Sequence, residues 1–128
     1  MREADIQNSI RIHISKHQLG VLFRANVGEA WTGDRIERNL DGSITIHRPR
    51  RFNTGLPPGF SDLFGVTAGG RAAFIEVKSQ SGRLSPEQEK FLQYMTRLGA
   101  AAGVARNPEE ADKILAGVSR KPDSVKKG

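Results

Sequence analysis

The order of hydrophobic patterns along the 128 residues predicts a compact α/β fold with a mixed sheet. Three observations lead there. Isoleucines at 6, 10 and 14 recur every four residues, as one face of a helix requires. The runs "GVLFRANVG" and "AAFIEVK" alternate in the manner of strands. "LSPEQEKFLQYMTRLG" then carries helix signals at both ends and leads into "AAAGVA", small and apolar enough for a buried strand beside that helix.

The isoleucine stripe sets a helix from about Glu3 to about His17, with Gly20 as its stop. Glu3 extends the stripe by three residues and is expected to point toward the fold. In the strand that follows, Val21, Phe23, Ala25 and Val27 share one face, and Leu22, Arg24 and Asn26 the other. "WTGDRIERNLDGSITIHRPRRF" reads as a hairpin turning at Asp41-Gly42, with Ile44 and Ile46 alternating against Thr45 and His47. Mostly polar, it is expected to form an arm projecting from the core.

"NTGLPPGFS" is a Pro/Gly loop into a second hairpin, "DLFGV" and "AAFIEVK" joined by "TAGGR". A register symmetric about Gly69 places Asp62 opposite Glu76, with Cβ atoms about 5 Å apart on one face and Lys78 beside them. The next helix takes Ser85 as N-cap, Pro86 at its first position, Gln88 at its third and Gly99 past its end, with Phe91, Leu92, Met95 and Leu98 as its apolar stripe. Asn107, Pro108 and Glu110 repeat the capping logic before a short final helix. Residues 1–117 are thus expected to form one domain, and "VSRKPDSVKKG", 118–128, a basic flexible tail.

Twenty Lys and Arg stand against fourteen Asp and Glu, net +6, so an acidic partner, nucleic acid above all, is expected. No acid occurs from Gly42 through Ser61, where Arg48, Arg50 and Arg51 cluster. With no cysteine, disulfides and thiolate metal sites are excluded, and any metal must bind oxygen or imidazole. No run approaches the roughly 20 apolar residues of a transmembrane helix, and "MREADIQNSI" lacks the apolar block of a secretory signal. A cytoplasmic protein with no membrane partner is expected.

Two carboxylates facing each other from adjacent strands repel unless a proton or cation sits between them. A divalent ion, Mg²⁺ or Mn²⁺, answers that, with Asp62, Glu76 and the Val77 backbone carbonyl as oxygen ligands. Lys78 on the same face is placed to orient or deprotonate an attacking water, or to stabilise a pentacovalent transition state. Plainer readings stand beside this one. Glu76 and Lys78 make an exposed ion pair in many strands. Gln88 completes a capping box with Ser85, and Glu3 is favoured by the helix dipole at an N-terminus. His13 and His17, lacking a third ligand nearby, read as packing or surface residues.

"GFSD", "FIEVK" and "GRLSPEQEKFL" together resemble the VRR-NUC (virus-type replication-repair nuclease) family of the PD-(D/E)xK nuclease superfamily, over roughly residues 3 to 112. "FRANVG" is similar to that family's first strand. The resemblance implies a restriction-endonuclease-like core, αβββαβ, here with an inserted β-hairpin arm. It also implies metal ligation by Asp62 and Glu76, catalytic assistance by Lys78, a supporting role for Gln88, and a site role for Glu3. Ser61 departs from the superfamily's proline, which affects the turn more than the chemistry. Arg24, Asn26, Arg48, Arg50 and Arg51 are the expected DNA contacts. The function expected is a Mg²⁺- or Mn²⁺-dependent, structure-selective DNA endonuclease, a homodimer resembling Holliday junction resolvases. The alternatives are a flap or duplex nuclease of the same superfamily and a non-catalytic nucleic-acid-binding module.

Overall fold

The computed structural model describes residues 2–117; the expected tail, 118–128, lies outside the described residues. The described residues divide into two compact units, one of residues 2–25 and 59–117, the other Asn26–Pro58.

The first unit begins with α1 (Glu3–Lys16), whose Ile6, Ile10 and Ile14 are all buried as the four-residue spacing predicts. Burying each contributes roughly 1.5–3 kcal/mol before conformational entropy is set against it. The helix ends where expected, at a His17 C-cap, but the reversal after it is made by Gln18, in the left-handed conformation at φ 56°, and not by Gly20. Gly20 instead opens β1 (Gly20–Arg24), where an added Cβ would lie 2.3 Å from the Val66 carbonyl oxygen.

β1 ends at Arg24, short of the predicted run through Val27, and its buried residue is Leu22, while Val21 and Phe23 are exposed. One residue past the strand end, the Ala25 N–H still donates to the Asp62 carbonyl at 2.9 Å. Downstream come β6 (Leu63–Thr67), β7 (Ala72–Val77), α2 (Pro86–Arg97), β8 (Ala101–Ala105) and α3 (Pro108–Leu115). They build a four-stranded mixed sheet in the order β1-β6-β7-β8, antiparallel except for the parallel β7 and β8, which α2 connects. This is a restriction-endonuclease-like arrangement.

Alternation along β7 sorts its side chains between two layers. Ala73, Ile75 and Val77 join Ile6, Ile10, Ile14, Leu63, Ala111 and Leu115 in the core beneath α1 and α3. Phe74 and Glu76 point to the α2 side, where Phe60, Phe64, Phe74 and Phe91 stack with ring centroids 4.9–5.9 Å apart. α2 has the predicted Ser85 N-cap and capping box, and Gly99 follows it at φ 101°. Leu98 departs from its expected stripe: as the C-cap residue it turns outward and is exposed, leaving Leu92 as the buried residue of α2.

The second unit holds β2 (Glu29–Thr32), β3 (Arg35–Arg38), β4 (Ile44–His47) and β5 (Arg50–Asn53), paired antiparallel as β2 with β5 and β3 with β4. It is the predicted hairpin, turning at Asp41-Gly42 with Gly42 at φ 91°.

Candidate active site

The site lies at the open end of the β6–β7 hairpin. Their register, Leu63 opposite Ile75 through Val66 opposite Ala72, is symmetric about Gly69, which places Asp62 opposite Glu76 as the sequence predicts. The two are locked reciprocally. The Val77 N–H donates to Asp62 Oδ2 at 2.9 Å, and the Asp62 N–H donates to Glu76 Oε1 at 3.3 Å. Ser61, fully buried at the proline position of the superfamily, donates from its hydroxyl to the Leu63 carbonyl at 2.8 Å and so closes the turn itself.

Glu76 is only 2 % exposed, in contrast to an ordinary strand ion pair. Its Oε2 accepts from Gln88 Nε2 at 2.8 Å and lies 3.7 Å from Lys78 Nζ. Gln88 therefore does both things proposed for it: Oε1 accepts from the Ser85 N–H at 2.9 Å while Nε2 reaches the carboxylate. One amide ties the start of α2 to the acidic centre of the sheet.

Glu3 comes to the same place from α1, with Oε2 3.4 Å from the Ser79 nitrogen that donates to it. Gly59, at φ 89°, lets the loop before Asp62 approach the first turn of α2, since a Cβ there would lie 2.6 Å from the Glu87 carbonyl oxygen. Asp62, Glu76, Lys78, Gln88 and Glu3 are thus brought together by four separate elements.

Burial first, and then the facing Asp62 carboxylate, push the Glu76 carboxyl up to about 8; the nearby Lys78 ammonium pulls the other way and is outweighed. Such a pair is short of positive charge, and its hard oxygen donors suit a divalent cation. Among the described residues, no group of three or more His, Cys, Asp or Glu side chains gathers in metal-binding geometry. Two carboxylates would then be supplemented by a backbone carbonyl and water, as Mg²⁺ ordinarily accepts.

The remaining expected residues divide between the two units. Arg24 ends β1 opposite Leu63, exposed and one position from Asp62 in the register. Asn26, Arg48, Arg50 and Arg51 belong to the second unit. There the arginines meet carboxylates from across the ribbon: Asp34 takes Arg48 at 2.6 Å and Arg50 at 2.9 Å, and Glu29 takes Arg51 at 3.2 Å. Those bonds hold Asp34 below the usual carboxylate range. The acid-free run in sequence is therefore not acid-free in space: five arginines of residues 26–58 face four carboxylates, net +1. Such exposed pairs are weak, so the arginines remain open to exchange for phosphate. His13 pairs with Asp112 at 3.1 Å, a link between α1 and α3.

Sequence reasoning missed Arg106, half-buried just after β8. One of its guanidinium nitrogens donates to the Ser79 and Gly82 carbonyls, bracketing the turn after Lys78. No periodicity or motif marks it.

A mixed sheet that presents an Asp at one strand start, a Glu-x-Lys on the next and a helix-borne Gln between them defines a nuclease core of the PD-(D/E)xK type. The VRR-NUC domain matches residues 1–108, and the chain belongs to the VRR-NUC family. It is accordingly a nuclease domain, with DNA binding as its corollary. A search among curated proteins finds no match. Among the described residues no helix is long and apolar enough to cross a membrane.

Proposed function

We propose that this chain is a Mg²⁺- or Mn²⁺-dependent DNA endonuclease, structure-selective for branched DNA, that works as a homodimer in the cytoplasm. Residues 1–117 form its nuclease domain, with the ribbon of 26–58 as an insertion. The observation that carries the reading is the pairing of half-buried Asp62 with buried Glu76, with Lys78 Nζ 3.7 Å from Glu76 Oε2.

Asp62, Glu76 and the Val77 carbonyl would hold the metal. When bound, such an ion lowers the pKa of water and offsets the charge developing on a scissile phosphodiester. Gln88 and the Asp62 N–H orient the two oxygens of Glu76, so that the carboxylate presents one rotamer. Lys78 supplies a cation on the same face, where it orients the attacking water and meets negative charge as the phosphate becomes five-coordinate. Glu3 anchors the Ser79 amide and thereby the strand end that carries Lys78. Arg24, Asn26, Arg48, Arg50 and Arg51 contact the DNA backbone.

The dimer follows from chemistry and exposure together. Among the described residues one chain holds one such site, whereas symmetric incision of a four-way junction takes two, related by a twofold axis. Trp31, Ile36, Ile44 and Phe52 stay 47–56 % exposed on the ribbon, a supply of apolar surface suited to pairing with a second copy.

Incubation of labelled single-stranded, duplex, flap and four-way-junction DNA with Mg²⁺, Mn²⁺ or EDTA tests the activity. Paired cuts in junction DNA, abolished by EDTA, are expected, with light scattering giving a dimer mass. A strict monomer that nicks flaps or duplex would retain the nuclease and eliminate the resolvase. Cutting undiminished in EDTA would remove the metal mechanism.

A triple substitution of Arg48, Arg50 and Arg51 by alanine should weaken binding and flatten its salt dependence by a slope of about one for each phosphate no longer neutralised. An unchanged slope across a salt titration would mean that these arginines spend their charge on Asp34 and Glu29 even in the complex.

A further inference from the structure

Three short segments converge on the turn that follows β7, and Arg106 closes the convergence. The Gly82 N–H donates to the Ser79 carbonyl at 3.1 Å, making a tight turn of residues 79–82. Arg106 Nη1 donates to the same Ser79 carbonyl and to that of Gly82 at 2.8 Å. Both bonds leave one nitrogen, whose two hydrogens diverge in the fixed guanidinium plane, so the two carbonyls are held at a set separation.

Arg106 is itself fixed from behind: its N–H donates to Glu110 Oε1 at 2.8 Å, and Glu110 sits in the first turn of α3, whose Asn107 cap accepts the Glu110 N–H at 2.8 Å. On the other side the turn touches the site. The Ser79 N–H donates to Glu3 Oε2, and a Cβ at Gly82 would lie 3.2 Å from Lys78 Cδ and 3.3 Å from Glu3 Oε2. The turn is therefore a wall along the aliphatic stem of Lys78, and Arg106 is what holds the wall in place.

We propose that Arg106 is a positioning residue: by fixing the 79–82 turn against Glu3 and the Lys78 stem, it sets where the Lys78 ammonium stands beside Glu76. Its contribution to cleavage rests on the nuclease reading above, but its grip on the turn does not. Arg106 touches neither Asp62 nor Glu76 through any hydrogen bond or ion pair among the described residues, so its effect must pass through Lys78 and Glu3.

The test compares the whole chain with Arg106→Ala and Arg106→Lys. Amide exchange followed by NMR should rise about tenfold or more at Ser79 and Gly82 in Arg106→Ala, with Ile75 and Val104 in the sheet unchanged, as local opening without global unfolding requires. On DNA with Mg²⁺, kcat should fall about 10²-fold, as expected for a group displaced by about 1 Å, with KM within about twofold of wild type. Millimolar methylguanidinium should recover about tenfold of that loss by refilling the vacated position. Arg106→Lys should fall between the two. Recovery separates positioning from simple stabilisation, because a guanidinium salt cannot rescue an unfolding variant. Unchanged exchange at Ser79 and Gly82, or altered exchange with kcat intact, overturns the proposal. If the wild type cuts no DNA, the nuclease reading falls alone, and the exchange rates still decide whether Arg106 holds the turn.

Discussion

Asp62→Asn and Glu76→Gln should each lower DNA cleavage by about 10³-fold or more while leaving affinity for the same DNA within about twofold of wild type. Both replacements keep the size and planarity of the side chain and remove one ionisable carboxyl from the pair. In Asp62→Asn the remaining carbonyl oxygen can still accept from the Val77 N–H, so the turn stays closed. The new amide then faces Glu76 without repulsion, and the variant should fold at least as well as the wild type. Loss of activity in a folded, DNA-binding protein thus isolates the charge requirement. Lys78→Ala should cost about 10²-fold, less than either carboxylate, because metal affinity would survive it. Wild-type turnover in Lys78→Ala would reduce the lysine to an ion-pair partner of Glu76. Carboxylate variants that cut normally would leave the Asp62–Glu76 pair as architecture alone.

Much of this site is legible in the sequence because its signals are local. The stripe of Ile6, Ile10 and Ile14 fixes which way α1 faces, and with it the direction of Glu3. The symmetric turn about Gly69 fixes the pairing of Asp62 with Glu76 at a distance of fourteen residues, since a period of two admits no half-steps. Ser85, Pro86 and Gln88 announce the start of α2. What the sequence hides is non-local. The bond from Gln88 to Glu76 turns a capping residue into a site residue only once α2 lies against β7.

Asp34 and Glu29, which precede them by fourteen residues or more, cancel much of the charge of Arg48, Arg50 and Arg51. Arg106 reaches carbonyls, and carbonyls belong to every residue alike, so no side-chain pattern can point to Ser79 and Gly82. The choice of Gly20 as the residue that stops α1 fails for a similar reason. Gly20 is conspicuous, but its lack of a side chain serves the close approach of Val66, and Gln18 tolerates the left-handed turn.

Stability of the metal-free protein should fall as pH rises from about 5 to 8, and Glu76→Gln should abolish that fall. The Glu76 carboxyl is pushed up to about 8 in the folded chain from its ordinary value of 4.5, by burial first and by the Asp62 charge second. Between those two values the folded protein holds a proton that the unfolded chain has released. A proton bound preferentially by the folded state stabilises it at low pH, and that stabilisation is lost as pH climbs through the folded value. A single group lowers stability by at most about 1.4 kcal/mol per pH unit within that window, a few kcal/mol in all.

Glutamine carries no charge at any pH, so the variant should match the wild type near pH 5 and exceed it at about pH 8. Mg²⁺ or Mn²⁺ should act in the opposite sense. The ion competes with the proton for Glu76, so affinity should rise across the same window and the thermal stabilisation it confers should be largest near pH 8. Thermal unfolding of both proteins at about pH 5, 6, 7 and 8, in EDTA and in Mg²⁺, reads all of this. Parallel curves for wild type and Glu76→Gln in EDTA would mean that the Lys78 ammonium, 3.7 Å away, already keeps Glu76 ionised. The pair would then need no external cation to carry its charge.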